Sequence, residues 1–584
     1  MIRIGNASGF YGDRFTAWRE MLDGGELDVL TGDYLAELTM LILGRDRLRD
    51  PSLGYAKTFL RQLEGTLGTA LERGVRIVTN AGGVNPAGLA AAIGALADRL
   101  GLTVRVGYVE GDAVPRPDAL TANAYLGAFG IAACLEAGAD VVVTGRVTDA
   151  SLVVGPGIAR FGWRHEDLDA LAGATVAGHL IECGAQVTGG NFSFFTELPD
   201  GGRRPGFPVA ELRPDGSSVI TKHPGTGGAV TVETVTAQLL YEIGGPDYLG
   251  PDVVTRLDTV ALHQDGPDRV RVSGTRGAPP PDTLKVGVNN LGGFRNSMTF
   301  VLCGLDVPAK AALVREQVEA AVGPEGLEFR LARTDHVDAG DTETASALLH
   351  VHVKDGDRTR AGRVFSAAAV ELALASYPGC TLTTLPGDAT PYGVFTSDTV
   401  PQDAVAHVAV LPSGERVPIP PPPATGGQGF PAARRPPAGD ASRPTGRGAL
   451  GELVGARSGD KGGDANLGVW ARTDAAYAWL RGWLTVERLG DLLPETAGLA
   501  VERYELPNLR AVNFVLRGLL GQGVAASTRF DPQAKALGEL LRARIVDLPA
   551  ELLPATAPTE PAPPAAPGGA DGEPAARGVA GGHS

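Results

Sequence analysis

The chain has 584 residues, 43% of them hydrophobic and 20% charged, with a formal net charge of −15. That length suits two to four domains, and an acidic balance with no basic block argues against nucleic acid or an anionic membrane surface as partner. The four cysteines (134, 183, 303 and 380) have no pairing rhythm, no apolar run approaches a membrane span, and no leader pattern opens the chain, so a reduced cytoplasmic protein is expected.

In residues 1–195, short apolar runs repeatedly end in glycine-and-polar clusters. Ile2–Ile4 leads into Gly5–Gly9, Leu27–Leu30 into Thr31–Tyr34, Val75–Val78 into Thr79–Asn85, Val104–Val109 into Glu110–Asp112, and Val141–Val143 into Thr144–Asp149. Helical patterns over Arg14–Leu22, Tyr34–Leu43, Tyr55–Glu72, Pro86–Leu100 and Ala122–Ala137 separate them. This is the βαβ rhythm of an α/β fold with a mainly parallel sheet and flanking helices. Strand order is not readable, and a barrel stays open as an alternative. If the runs are strands of one sheet, their polar ends converge on one rim, where such sheets bind ligands.

Residues 196–410 read as an α+β region packed with the first as one unit. Its expected strands are Thr259–Gln264, Val270–Ser273 and Leu349–Val353, and its expected helices Val230–Ile243, Ala309–Val322 and Arg363–Tyr377. Residues 411–447, rich in proline and glycine, read as a linker. Residues 448–549 form a small α+β domain, with strands at Glu452–Ala456, Leu467–Ala471, Ala500–Glu505 and Ala511–Leu516 and helices at Asp474–Trp483 and Pro532–Ile545. Residues 550–584 read as a disordered tail.

No P-loop, nucleophile elbow, HExxH or strand-linked GxGxxG pattern is present. The strongest constellation is the rim itself: Asn6, Ser8, Asp33, Asn80, Gly82, Gly83, Asn85 and Arg146, with Asn191 beyond it. Each could singly be a cap or turn former; the set points to a substrate site. Asp149, His179, Glu182 and Cys183 are the catalytic candidates. His179, Glu182 and Cys183 fall at i, i+3 and i+4 of an expected helix from Ala174, which puts imidazole, carboxyl and thiol on one face. The bland alternative is a buried thiol packed beside a satisfied histidine.

Two glycine-rich stretches carry cations suited to an anion such as phosphate. One holds Lys222, Gly225, Gly227 and Gly228 before a helix; the other holds Arg457, Ser458 and Lys461 in the loop Arg457–Asn466. Either could be a plain turn. No metal site is expected.

These stretches also carry a resemblance. Gly5–Arg14, Thr31–Glu37, Asn80–Pro86, Gly145–Ala150, His179–Phe192 and Gln238–Gly244 together resemble the acyclic terpene utilisation (AtuA-type) family. Arg457–Asn466 resembles its usual second part, a ferredoxin-like domain. The resemblance implies a role in breaking down branched, terpene-type acids processed as CoA thioesters. The expected activity is hydration or lyase-type cleavage of such an acid or thioester, with Arg146, Asn80, Asn191 and the Gly82 and Gly83 amides holding the carbonyl or carboxylate. No cofactor is firmly expected, and a CoA thioester is one candidate substrate. A homo-oligomer and association with other catabolic enzymes are the expected partners. The alternatives are a non-catalytic acyl-CoA-binding subunit and, more weakly, a phosphate-ester hydrolase.

Overall fold

The computed structural model describes residues 1–426 and 445–553. The short Val/Ile/Leu runs do form strands of one sheet. Ile2–Asn6, Val29–Gly32, Arg76–Thr79, Val141–Thr144 and Val106–Glu110 lie side by side, all parallel, in that spatial order. Runs buried on both faces need helices on both sides, and the linking segments supply them. Pro86–Leu100 starts where Asn85 accepts the Gly88 N–H and ends at left-handed Gly101, as a proline-first, glycine-last helix should.

The parallel block is the centre of an eleven-stranded open sheet, which closes the barrel alternative. Antiparallel strands extend it on both sides: Pro208–Leu212, Ser218–Lys222, Arg269–Ser273 and Ala261–Gly266 beyond Ile2–Asn6, and Val408–Val410 and Arg416–Pro418 beyond Val106–Glu110. The Val408–Pro418 hairpin lies partly inside the expected linker. It is ordered because its backbone finds a free sheet edge, which proline at a strand end tolerates. The remainder of that stretch from 427 to 444, and the tail from 554, lie outside the described residues.

A second sheet is built on one 21-residue strand, Thr283–Cys303. Its first half pairs with Thr121–Ala124 and Thr390–Pro401, its second with Ser346–Asp355. Ala122–Ala137 is therefore not one helix: a strand comes first, and the helix is Phe129–Glu136. The expected helix Tyr55–Glu72 likewise breaks at Gly65 into Lys57–Glu64 and Leu67–Glu72. Val230–Ile243 shortens to Val232–Leu239, because Glu242 adopts a left-handed backbone, φ 56°.

The C-terminal part holds a four-stranded antiparallel sheet in the order Val454–Lys461, Asp464–Ala471, Ala511–Leu516, Val501–Leu506, over its own apolar core. Thr445–Ala449 pairs with Ile545–Pro549 beside it. Arg457–Asn466 is thus not a loop but a hairpin turning at Gly462-Gly463. This part packs on the rest through Trp470, which meets the rings of Phe192 and Phe194 at 6.4 Å each. Ser193 exchanges bonds with the Ala456 backbone, and Arg472 pairs with Glu197 and Glu233.

Candidate functional site

The carboxyl ends of the parallel strands and the C-terminal hairpin bring charged side chains into one polar crevice-like cluster, in which Lys461 acts on Glu37, Asp149 and Glu182. Arg146, just beyond Val141–Thr144, is buried; its Nη2 donates to Asp149 at 2.6 Å and its Nη1 to the Leu35 carbonyl at 2.9 Å. Its guanidinium lies 4.1 Å from the Tyr125 ring centre, and the Lys285 ammonium 4.6 Å from the same ring. Asp33, after Val29–Gly32, accepts from Asn80 Nδ2 at 2.6 Å.

The helix Leu168–Ile181 brings His179 to this rim, and Glu182 follows directly. His179 Nδ1 lies 3.1 Å from Glu182 Oε1, while His179 Nε2 and Glu182 Oε2 are buried without a hydrogen-bond partner. Cys183 is half-buried alongside. Tyr248 packs 5.2 Å from the His179 ring and 5.8 Å from the Lys461 ammonium.

Electrostatically the crevice separates acids into two classes. Burial, then the neighbouring Asp149, pushes the carboxyls of Asp33 and Glu182 well up. Burial and Glu37 also raise Glu242, and burial and Glu242 push Asp460 up to about 8. Burial acts the same way on Glu37, yet Lys285, Arg146 and Lys461 together outweigh it and hold that carboxyl below its usual range. Burial and then Lys461 push His179 down to about 4, so its imidazole is neutral near pH 7. Burial and then Lys285 lower the Lys461 ammonium, and burial and Glu182 raise the Cys183 thiol. A neutral imidazole, carboxyls with raised pKa and cations within one cluster are the elements of proton transfer beside a developing oxyanion. With its pKa raised, Cys183 is a poor nucleophile.

Of the expected site residues, the structure brings Asp33, Arg146, Asp149, His179, Glu182, Cys183 and Lys461 together. Others on the rim hold the fold around them. Asn6 Nδ2 donates to the Ile181 and Glu182 carbonyls, fixing the end of the His179 helix. Ser8 closes a turn onto Phe10, and Asn80 accepts the Tyr34 N–H while holding Asp33. Asn85 is a helix cap. Gly82 lets the backbone approach, since a Cβ there would sit 2.4 Å from the Thr144 carbonyl oxygen; Gly83 is left-handed, φ 54°. Asn191 is exposed at the seam with the C-terminal part.

Both anion candidates divide differently from the expectation. Lys222 Nζ donates to the Thr226 carbonyl at 2.6 Å and pairs with Asp268 at 3.0 Å, and Asp200 takes the Gly228 N–H. Gly225 is a left-handed turn position, and Gly227 packs against Asp200 and Arg204. That loop's cation and amides are thus taken up by the loop itself, Asp200 and Asp268. In the hairpin, Arg457 stacks 4.2 Å from the Tyr241 ring and bonds Gln186, and Ser458 accepts the Gly538 N–H. Lys461 reaches the crevice residues directly, its Nζ donating to the Glu242 carbonyl at 2.8 Å.

The sequence reading missed Glu37, Tyr125, Glu242, Tyr248 and Lys285 as site residues. Glu37 and Glu242 stand inside the motifs Thr31–Glu37 and Gln238–Gly244, which were the available signal. Lys285 and Tyr125 lie on strands of the second sheet and next to it, with no motif to mark them.

Fold and crevice define a two-part α/β protein whose polar site is shared between a mixed, centrally parallel sheet and a small antiparallel domain. Residues 2–411 match the family model of the acyclic terpene utilisation family protein AtuA, and residues 449–547 that of the AtuA ferredoxin-like domain. The chain belongs to this family, and its C-terminal domain is the ferredoxin-like one. No curated protein and no solved structure matches it. Among the described residues, no helix is long and apolar enough to cross a membrane.

Proposed function

We propose that the protein is an enzyme of branched, acyclic terpenoid-type acid breakdown, acting on a branched carboxylic acid or its CoA thioester by hydration or lyase-type carbon–carbon cleavage. The observation that carries this reading is the buried His179–Glu182 pair, with one unpartnered atom on each side chain, in a cluster that also holds Arg146 and Lys461. Both reactions need a base at a carbon or water and an acid for the departing or forming oxygen. Neutral His179 supplies the base, and Glu182, whose carboxyl burial and Asp149 push up, supplies the acid. Lys285 and Lys461 hold the carboxylate or thioester oxygen, while Arg146 fixes Asp149 and the Tyr125 face. CoA phosphates are left to side chains outside the Lys222–Gly228 loop.

The test is incubation of purified protein with a panel of branched acyl-CoAs and their free acids, followed by mass spectrometry. Gain or loss of water, or a cleaved product, supports the reading. Glu182→Gln and His179→Gln should each then lower kcat by about a hundredfold or more. A thermal shift with unchanged mass indicates the acyl-CoA-binding subunit instead. Full turnover in both variants removes the pair from the mechanism.

A further inference from the structure

Glu242 leaves the helix Val232–Leu239 in the left-handed region, φ 56°, where a long side chain is disfavoured and where strain concentrates at functional positions. Both of its backbone groups are held from the C-terminal hairpin. Its N–H donates to Asn466 Oδ1 at 2.8 Å, and its carbonyl accepts Lys461 Nζ at 2.8 Å. Asn466 is fully buried; its Nδ2 donates to the Leu240 carbonyl at 2.9 Å and to Asn513 Oδ1 at 2.7 Å.

The hairpin is shaped for this approach. A Cβ on Gly459 would lie 2.4 Å from the Tyr241 ring, and one on Gly468 would lie 2.6 Å from Leu240 Cβ. Only glycine at both places lets the hairpin pack so closely on Leu240 and Tyr241. The Glu242 carboxyl then sits among Glu37, Glu182, Lys461 and Asp460.

We propose that Asn466 is a positioning residue: together with Lys461 it clamps the Glu242 backbone in its left-handed state, so that the Glu242 carboxyl enters the crevice only while the C-terminal hairpin is docked. The ferredoxin-like domain is on this account a built-in activator of the site and not solely one of its walls. The inference rests on the crevice being the functional site proposed above.

A double-mutant cycle on the full chain tests the clamp without any ligand. Glycine is unstrained at φ 56° and alanine is not, so Glu242→Gly should melt above Glu242→Ala by about 1–2 °C. In an Asn466→Ala background that difference should vanish or reverse, because the segment is free to relax. An Asn466 that merely glues the interface lowers both melting points and leaves the difference intact, which overturns the proposal, as does Glu242→Ala melting at or above Glu242→Gly in the parent. Should Asn466→Ala not fold, Gly468→Ala, which pushes the hairpin off Leu240, takes its place in the cycle.

On any acyl substrate that the parent turns over, Asn466→Ala and Glu242→Gln should each lower kcat at least tenfold, and the double variant no further than the worse single one. Full kcat in Glu242→Gln overturns the carboxyl's role. A parent that turns over nothing removes the functional reading alone, and the melting cycle still decides the clamp.

Discussion

Two stretches of this chain look alike on paper: Lys222–Gly228 and Arg457–Asn466, each with a lysine among glycines next to regular structure. In the fold they do opposite things. Lys222 is used by its own loop and by Asp268, and the neighbouring amide of Gly228 by Asp200. The hairpin's glycines admit another backbone, and its lysine projects past the turn into a crevice built by other elements. Glycine with a cation is therefore not a site in itself; what matters is whether the local chain already supplies the cation's partners.

The sharpest way to break that comparison is to neutralise each lysine in turn. Lys461→Met should lower kcat/KM on an accepted substrate by about a hundredfold or more, since it removes a fixed charge beside the reacting oxygen. Lys222→Met should leave kcat/KM unchanged. The opposite pattern would exchange the roles of the two stretches.

The same lysine pair differs in stability. Lys222→Met strands the Thr226 carbonyl and removes the cation from the part-exposed Asp268, costing about 1–3 kcal/mol, read as a lower urea midpoint. Lys461→Met should cost less, because removing a cation from a crowded crevice also relieves Lys285, whose charge already lowers the Lys461 ammonium.

The histidines beside the two lysines sharpen the comparison by pH. Burial and Lys461 bring His179 from 6.5 down to about 4. The unfolded chain takes up that proton first, so the stability held by neutral His179 is complete above pH 6.5 and is lost as pH falls through 4. Relative to His179→Asn, the parent should lose about 3 kcal/mol across that window, measured by urea melts at stepped pH. His223, lowered by burial in the other stretch and bonded to the Met21 carbonyl, should show the same sign and a smaller loss. The smallest effect expected is from Thr226→Val, about 1 kcal/mol from one lost bond to the His223 carbonyl, with no change in turnover.

Much of the architecture is written in local pattern. The five parallel strands follow from their Val/Ile/Leu runs, and Pro86–Leu100 from its proline, cap and terminal glycine. Asp33, Arg146, Asp149, His179 and Glu182 stand at strand and helix ends, where the pattern directs attention. The 21-residue strand Thr283–Cys303 escapes such reading because Asn289-Asn290 and Gly292-Gly293 break its alternation, and its register is fixed by partners more than 40 residues away. With it escapes Lys285. Ala122–Ala137 misleads because alanine favours a helix, while the edge offered by Thr283–Cys303 draws Thr121–Ala124 into a strand. Glu242 is hidden for a different reason: its backbone is set by a hairpin more than 200 residues later.

The seam between the two parts has a calorimetric consequence. The C-terminal domain has a core of its own, while Trp470, Leu506, Leu509 and Ala511 belong to the core of the larger part. Two cores joined at a seam make two cooperative units, which heat can part in sequence. A molecule gripped by Lys285 on one side and Lys461 on the other stabilises only the docked form, so it welds the units thermodynamically. Its true occupant should therefore merge two heat-capacity peaks into one, a signature that a ligand touching a single wall cannot produce.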